Sequence, residues 1–110
     1  PDTCDLYFAT MGEKASDKAV ELTSLCRQAM FSAEYDVVGR GLKAQMKYAD
    51  KMGAKFTLVL GDNELESGKA KLKNMKKGEE TEISLGDRFI DDFSDAMIAE
   101  MFDVEEMFKG

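Results

Sequence analysis

The run AKFTLVL at 54–60 sets the tightest limit on what this chain can fold into. It is apolar almost throughout, and a strand of that kind is stable only when layers cover both of its faces. The flanking sequence supplies such layers. DLYFAT at 5–10 is a second short apolar run, closed by Met11-Gly12, and AEYDVV at 33–38 is a third, ended by Gly39-Arg40-Gly41. Between the first two lies a helical segment, 13–31, with Ala15, Ala19, Leu22, Cys26 and Ala29 on one stripe and Lys18, Glu21 and Gln28 off it. A second helix is expected over 42–52. Its apolar face is Leu42, Met46, Ala49 and Met52, its opposite face carries Lys43, Lys47 and Lys51, and Gly53 follows as a stop.

Beyond Leu60 the period changes. DNELESG is long enough for one helical turn, and KAKLKNM alternates lysine outward with Ala70 and Leu72 inward. Lys76-Lys77-Gly78 reads as a hairpin turn into ETEISL, where Thr81, Ile83 and Leu85 alternate with Glu80, Glu82 and Ser84. From residue 87 an acidic amphipathic helix is expected, with Phe89, Ile90, Phe93, Met97 and Met101 inward. The order β-α-β-α-β, then a hairpin, then a helix predicts the α/β class. Right-handed crossovers give a three-layer α/β/α domain with a mixed five-stranded sheet of order 2-1-3-4-5, strand 4 antiparallel. Strand order reverses between strands 1 and 3, so a crevice is expected beyond their C-terminal ends, at Thr10-Met11-Gly12 and Gly61-Asp62-Asn63-Glu64. The 110 residues make one domain, 1–110, with no linker or repeat. The start at Pro1-Asp2-Thr3, without methionine, suggests a piece of a longer chain.

Composition narrows the function. The chain has no histidine and no glycine-rich phosphate loop, so the commonest general base and the Ser/His and Cys/His nucleophile pairs are missing. A self-contained enzyme, or a small-molecule domain using the crevice, is therefore disfavoured. Two cysteines, Cys4 and Cys26, fit no zinc spacing and read as reduced packing thiols in a cytoplasmic protein. No apolar run approaches the roughly 18 residues of a membrane span.

Net charge is −7, but it is unevenly placed. Residues 1–38 carry −4, residues 39–78 carry +6 and residues 79–110 carry −9. A basic middle third inside an acidic chain suits an anionic partner; it also suits neutralisation of the acidic helix within the fold. The stretch GDNELESGKAKLKNM at 61–75 concentrates the question, with Asp62, Glu64 and Glu66 followed by Lys69, Lys71 and Lys73. A carboxylate beside cations can accept hydrogen bonds from base N–H groups while lysines neutralise phosphates, which is how single-stranded RNA is read. The alternative for the lysines is protection of a sheet edge. Arg40, between glycines before a helix, suits a phosphate at the helix N-terminus or a plain solvated loop. The three acids match no metal-binding loop, and no metal is expected.

At this point the residues resemble a known family. GRGLKAQMKYADKMGAKFTLVLGDNELESGKAKLKNMKKGEETEI at 39–83 is similar to the C-terminal anticodon-binding domain of histidyl-tRNA synthetase, a class II synthetase. The similarity rests on Gly-Arg-x-Leu-Lys-x-Gln, Ala-Asp-Lys-x-Gly-Ala-Lys, Leu-Gly-Asp-x-Glu-Leu and Leu-Lys-x-Met in that order, and extends more loosely through DLYFATMGEKASDKAVELTSLCRQAM. The resemblance implies a fragment that recognises the anticodon loop of histidine tRNA, not DNA, and has no catalytic residues or cofactor of its own. ATP and Mg would belong to the catalytic domain of the same chain, and the parent would be a homodimeric histidine–tRNA ligase. By the resemblance, Glu64 and Lys73 contact anticodon bases, Arg40 and Lys43 face the RNA, and Asn63 and Lys71 stand beside them on the same crevice. Serine is usual in the family where Gly41 sits, and aspartate where Asn74 sits. The acidic tail would pack on the catalytic domain or repel RNA from its face. A regulatory paralogue that has lost tRNA binding and serves as an interaction module is the alternative.

Overall fold

The apolar runs at 5–10 and 54–60 become the two central strands. β1 (Leu6–Thr10) is buried at every position. β3 (Phe56–Leu60) lies parallel to it, with Leu6 opposite Phe56 and Thr10 opposite Leu60. The computed structural model describes the backbone of residues 4–109 and the side chains of residues 4–102; Pro1-Asp2-Thr3 and the acidic side chains beyond Phe102 lie outside that range. β2 (Ala33–Tyr35) pairs parallel with β1, β4 (Lys69–Asn74) antiparallel with β3, and β5 (Glu80–Ser84) antiparallel with β4. The sheet order is β2-β1-β3-β4-β5, as the sequence predicts.

Helices α1 (Glu13–Gln28) and α4 (Phe89–Lys109) cover one face. Leu6, Phe8, Leu58, Leu72 and Ile83 from the strands meet Leu22 and Cys26 of α1 and Phe89 and Phe93 of α4 in the main core. The Phe93 ring stands edge-on to Phe31 and Phe56, at 5.0 and 5.7 Å between centroids. Each such pair adds about 0.5–1.5 kcal/mol to the stabilisation from burial. On the other face lies α2 (Leu42–Lys51), whose Ala49 packs with Cys4, Tyr7, Ala9 and Ala54 over β1 and β3. α3 (Asp62–Ser67) is a short helix leaving the end of β3, closed by Gly68. No helix of the second layer reaches β4 and β5, where Lys69 and Lys71 are exposed while Ala70 and Leu72 are buried beneath. This uncovered stretch of sheet positions the site.

Three expectations shift. β2 stops at Tyr35 rather than Val38, because the Asp36 side chain turns inward and accepts the Gly39 and Arg40 N–H groups at 2.7 and 2.9 Å. Val37 and Val38 are consequently 78% and 67% exposed. α1 ends three residues early: Phe31 N–H closes on Cys26 O at 2.9 Å, with Met30 in the left-handed region between them. Met101 is 66% exposed instead of inward. The 21 residues of α4 extend about 32 Å, whereas strands of five or six residues span only about 17–20 Å; the helix outruns the sheet that would cover it. Both cysteines are buried, and burial pushes their thiols up to about 11 for Cys4 and about 12 for Cys26. No helix of the described residues is long and apolar enough to cross a membrane.

Candidate nucleic-acid interface

Between α2, the start of α3 and the uncovered strands lies an open recess of about 450 Å³. Thr57 and Val59 of β3 and Met46 of α2 supply its less polar surface, and Asn63, Glu64, Lys71 and Lys73 line it. Four of the six residues expected to face RNA thus share one cavity, and Arg40 and Lys43 do not line it.

Glu64 is held by the local chemistry of α3. Its Oε1 accepts the Gly61 N–H at 2.8 Å, which satisfies one of the free donors at the helix start. Gly61 has no side chain to return the bond, so the box is half made. A Cβ there would lie 2.9 Å from Met11 Cε and 3.3 Å from Glu64 Oε1, so a larger residue would need the flexible tip of Met11 to shift. Glu64 Oε2 accepts no hydrogen bond among the described residues, so the half-buried carboxylate is oriented through one oxygen and available through the other.

The lysines of β4 face glutamates of β5 across the ladder. Lys71 is in register with Glu82 and Lys73 with Glu80, on the face opposite the buried Ala70 and Leu72. Lys69 approaches Glu82 only to 3.9 Å, with both side chains 62% exposed. Lys71 and Lys73 form no ion pair among the described residues. Edge protection does not account for this row, since β4 is flanked by β3 and β5 and is not an edge.

The expected crevice between β1 and β3 is closed. Met11 N–H donates to Leu60 O at 2.9 Å, and the Met11 side chain packs on Gly61. A separate recess of about 620 Å³ opens on the other side of this stitch, between Thr10-Met11-Gly12 and the loop 36–42. Here the charges are engaged. Arg40 donates from Nη1 to Asp36 Oδ1 at 2.9 Å, and its guanidinium lies over the Tyr48 ring at 4.4 Å. The Asp36 side chain is 2% exposed. Burial raises the neighbouring Tyr7 phenol, the Asp36 carboxylate adds to the rise, and Arg40 opposes it.

Gln45 holds this loop to the sheet. It is 1% exposed, accepts Thr10 N–H at 2.7 Å, and donates to Thr10 O at 2.8 Å and Arg40 O at 2.6 Å. Hydrophobic periodicity gives no sign of a polar residue here; the signal was its place in Gly-Arg-x-Leu-Lys-x-Gln. Lys43 stands exposed at the start of α2. Asn74 uses both ends of its amide: Oδ1 accepts the Lys76 and Lys77 N–H groups, and Nδ2 donates to Glu100 Oε2 at 2.6 Å. An aspartate could cap the turn but could not donate to Glu100. A larger groove, about 670 Å³ and lined by Met75, Met97 and Met101, lies at the opposite end of β3 and includes none of the six expected residues. No three histidine, cysteine or acidic side chains are grouped as a metal site among the described residues.

Comparison with known proteins adds to this geometry. Residues 5–92 match the family described as "Anticodon binding domain". The histidine–tRNA ligase of Acetivibrio thermocellus is 54% identical over 81 residues, covering 74% of this chain and 19% of that protein. That of Clostridium kluyveri is 52% identical over 83 residues, covering 76% and 20%. The chain thus spans about a fifth of the length of these curated relatives. A crystal structure of apo histidyl-tRNA synthetase from S. aureus superposes with a TM-score of 0.78 at 44% identity, over 83% of this chain and 23% of that one. The RNA binding domain of threonyl-tRNA synthetase from Cryptosporidium parvum shares the fold, with a TM-score of 0.73 at 18% identity.

Proposed function

Because the chain belongs to the anticodon binding domain family, we propose that it reads the anticodon loop of histidine tRNA as one part of a histidine–tRNA ligase. The observation that carries this reading is the recess on the uncovered face of β4. There Glu64 is oriented by Gly61 with one oxygen available, beside Lys71 and Lys73 without ion-pair partners among the described residues. Single-stranded bases present N–H donors and ring or carbonyl acceptors on their edges, and this lining offers the complement. Asn63 adds an amide with both functions. Lys43 supplies a cation at the start of α2, and Arg40, bound to Asp36, orders the loop that leads into it.

Attachment of histidine, with ATP and Mg, would take place in a separate catalytic part of the parent, a cytoplasmic homodimer, and this domain would contribute tRNA selection. Relatives named histidine–tRNA ligase support that reading, and no finding favours the regulatory alternative. The test is fluorescence anisotropy with a stem-loop carrying a histidine anticodon and one with the anticodon scrambled, at low and near-physiological salt. Tighter binding of the first is expected. Glu64→Gln, which keeps an oxygen for Gly61 N–H, should cut that preference about tenfold while changing affinity for the scrambled loop less. Equal binding of both loops by the unaltered chain would contradict the proposal.

A further inference from the structure

We infer that the recess is a base-edge site rather than a phosphate site, with Glu80 and Glu82 of β5 as further specificity residues and the lysine row of α2 as the separate phosphate track. The inference rests on the proposed anticodon-reading function and assigns the parts of its surface.

The lining carries three lysines, Lys69, Lys71 and Lys73, and three glutamates, Glu64, Glu80 and Glu82, so its formal charge is zero. A pocket that held phosphate groups would carry excess positive charge, because binding there is dominated by neutralisation and counterion release. A base edge is neutral and presents donors beside acceptors. The cross-strand register sets such an array, Lys71 opposite Glu82 and Lys73 opposite Glu80. Of these four groups, only Glu82 has an ion-pair contact among the described residues, the 3.9 Å approach of Lys69. Carboxylates of β5 accept from exocyclic amines and ring N–H groups, while ammonium groups of β4 donate to ring nitrogens and carbonyls.

Phosphates then require cations elsewhere, and α2 provides them. Lys43, Lys47 and Lys51 are all exposed and follow one another at four-residue spacing, one charge about every 6 Å along the helix. Among the described residues none of the three forms an ion pair, although Asp50 lies exposed on the same helix. Met46 of the same helix lines the recess, and Lys43 is its neighbour one turn earlier, so the two surfaces adjoin.

The experiment measures anisotropy of the 110-residue chain with the histidine-anticodon stem-loop and with loops altered at single anticodon positions, across a salt series. Glu82→Gln and Glu80→Gln, each at an exposed position, should reduce discrimination at one anticodon position about tenfold with the salt slope unchanged. Lys47→Ala should weaken all loops alike and lower the slope by about 0.7. The inference is overturned if either glutamine variant strengthens binding of every loop equally without loss of discrimination, the behaviour of a phosphate pocket relieved of a repulsive charge. It is also overturned if Lys71→Ala lowers the slope as Lys47→Ala is expected to. Absence of discrimination by the unaltered chain would remove the proposed function and this assignment together. Discrimination that survives both glutamine substitutions would remove the assignment alone.

Discussion

Two recesses flank the stitched ends of β1 and β3, and they use charge in opposite ways. In the one beside β2, Asp36 is buried, binds Arg40, and caps its own loop. Arg40 lies over Tyr48, and Gln45 ties the loop to Thr10. In the one over β4 and β5, Lys71 and Lys73 stand opposite Glu80 and Glu82 in solvent, with only Glu64 fixed by a short bond to the backbone. The first set holds the fold and the second is available to a ligand. Charged residues adjoining the same sheet thus divide by whether their hydrogen-bonding groups are already engaged.

Substitutions that separate stability from binding break or sharpen this contrast. Gln45→Leu should have the largest effect, about 3 kcal/mol in urea unfolding, since it strands Thr10 N–H, Thr10 O and Arg40 O in a buried place. Asp36→Asn keeps an acceptor for the loop N–H groups but removes the charge opposite Arg40, with an expected loss of about 1–2 kcal/mol. Asn74→Asp places a second carboxylate against Glu100 and should cost about 1 kcal/mol at neutral pH. The repulsion raises the native pKa of that carboxylate pair, so the deficit should shrink as pH falls through the carboxylate range, which thermal melts across pH would reveal. Lys71→Ala, in the open recess, should leave stability within about 0.5 kcal/mol while weakening RNA binding. A Lys71→Ala loss as large as that of Gln45→Leu would erase the distinction between the recesses.

The sheet order was legible because AKFTLVL and DLYFAT are too apolar to sit anywhere but the centre, and KAKLKNM alternates cleanly. The β2 boundary was not, because Val37-Val38 has strand propensity while the capping bonds of Asp36 that end the strand depend on a loop conformation. Met101 continues a helical period past the end of the sheet, and periodicity carries no information on where the partner surface stops. The candidate site was partly legible: the charge pattern of 61–75 and the resemblance pointed to Glu64 and Lys73, which share one recess, while Glu80 and Glu82 alternate along a hairpin strand and only the register sets them against the lysines. Gln45 is invisible to any scale that expects buried residues to be apolar.

The central claim is that RNA meets the open recess and the lysine face of α2. Titration of the isotope-labelled chain with the histidine-anticodon stem-loop, followed by backbone amide shifts, tests it directly. The account predicts that the largest changes fall on Asn63 and Glu64, on Lys69 to Lys73, on Glu80 to Glu82 and along α2. Changes confined to the loop 36–41, or to α4 and the methionine-lined groove beside Met75, would contradict it.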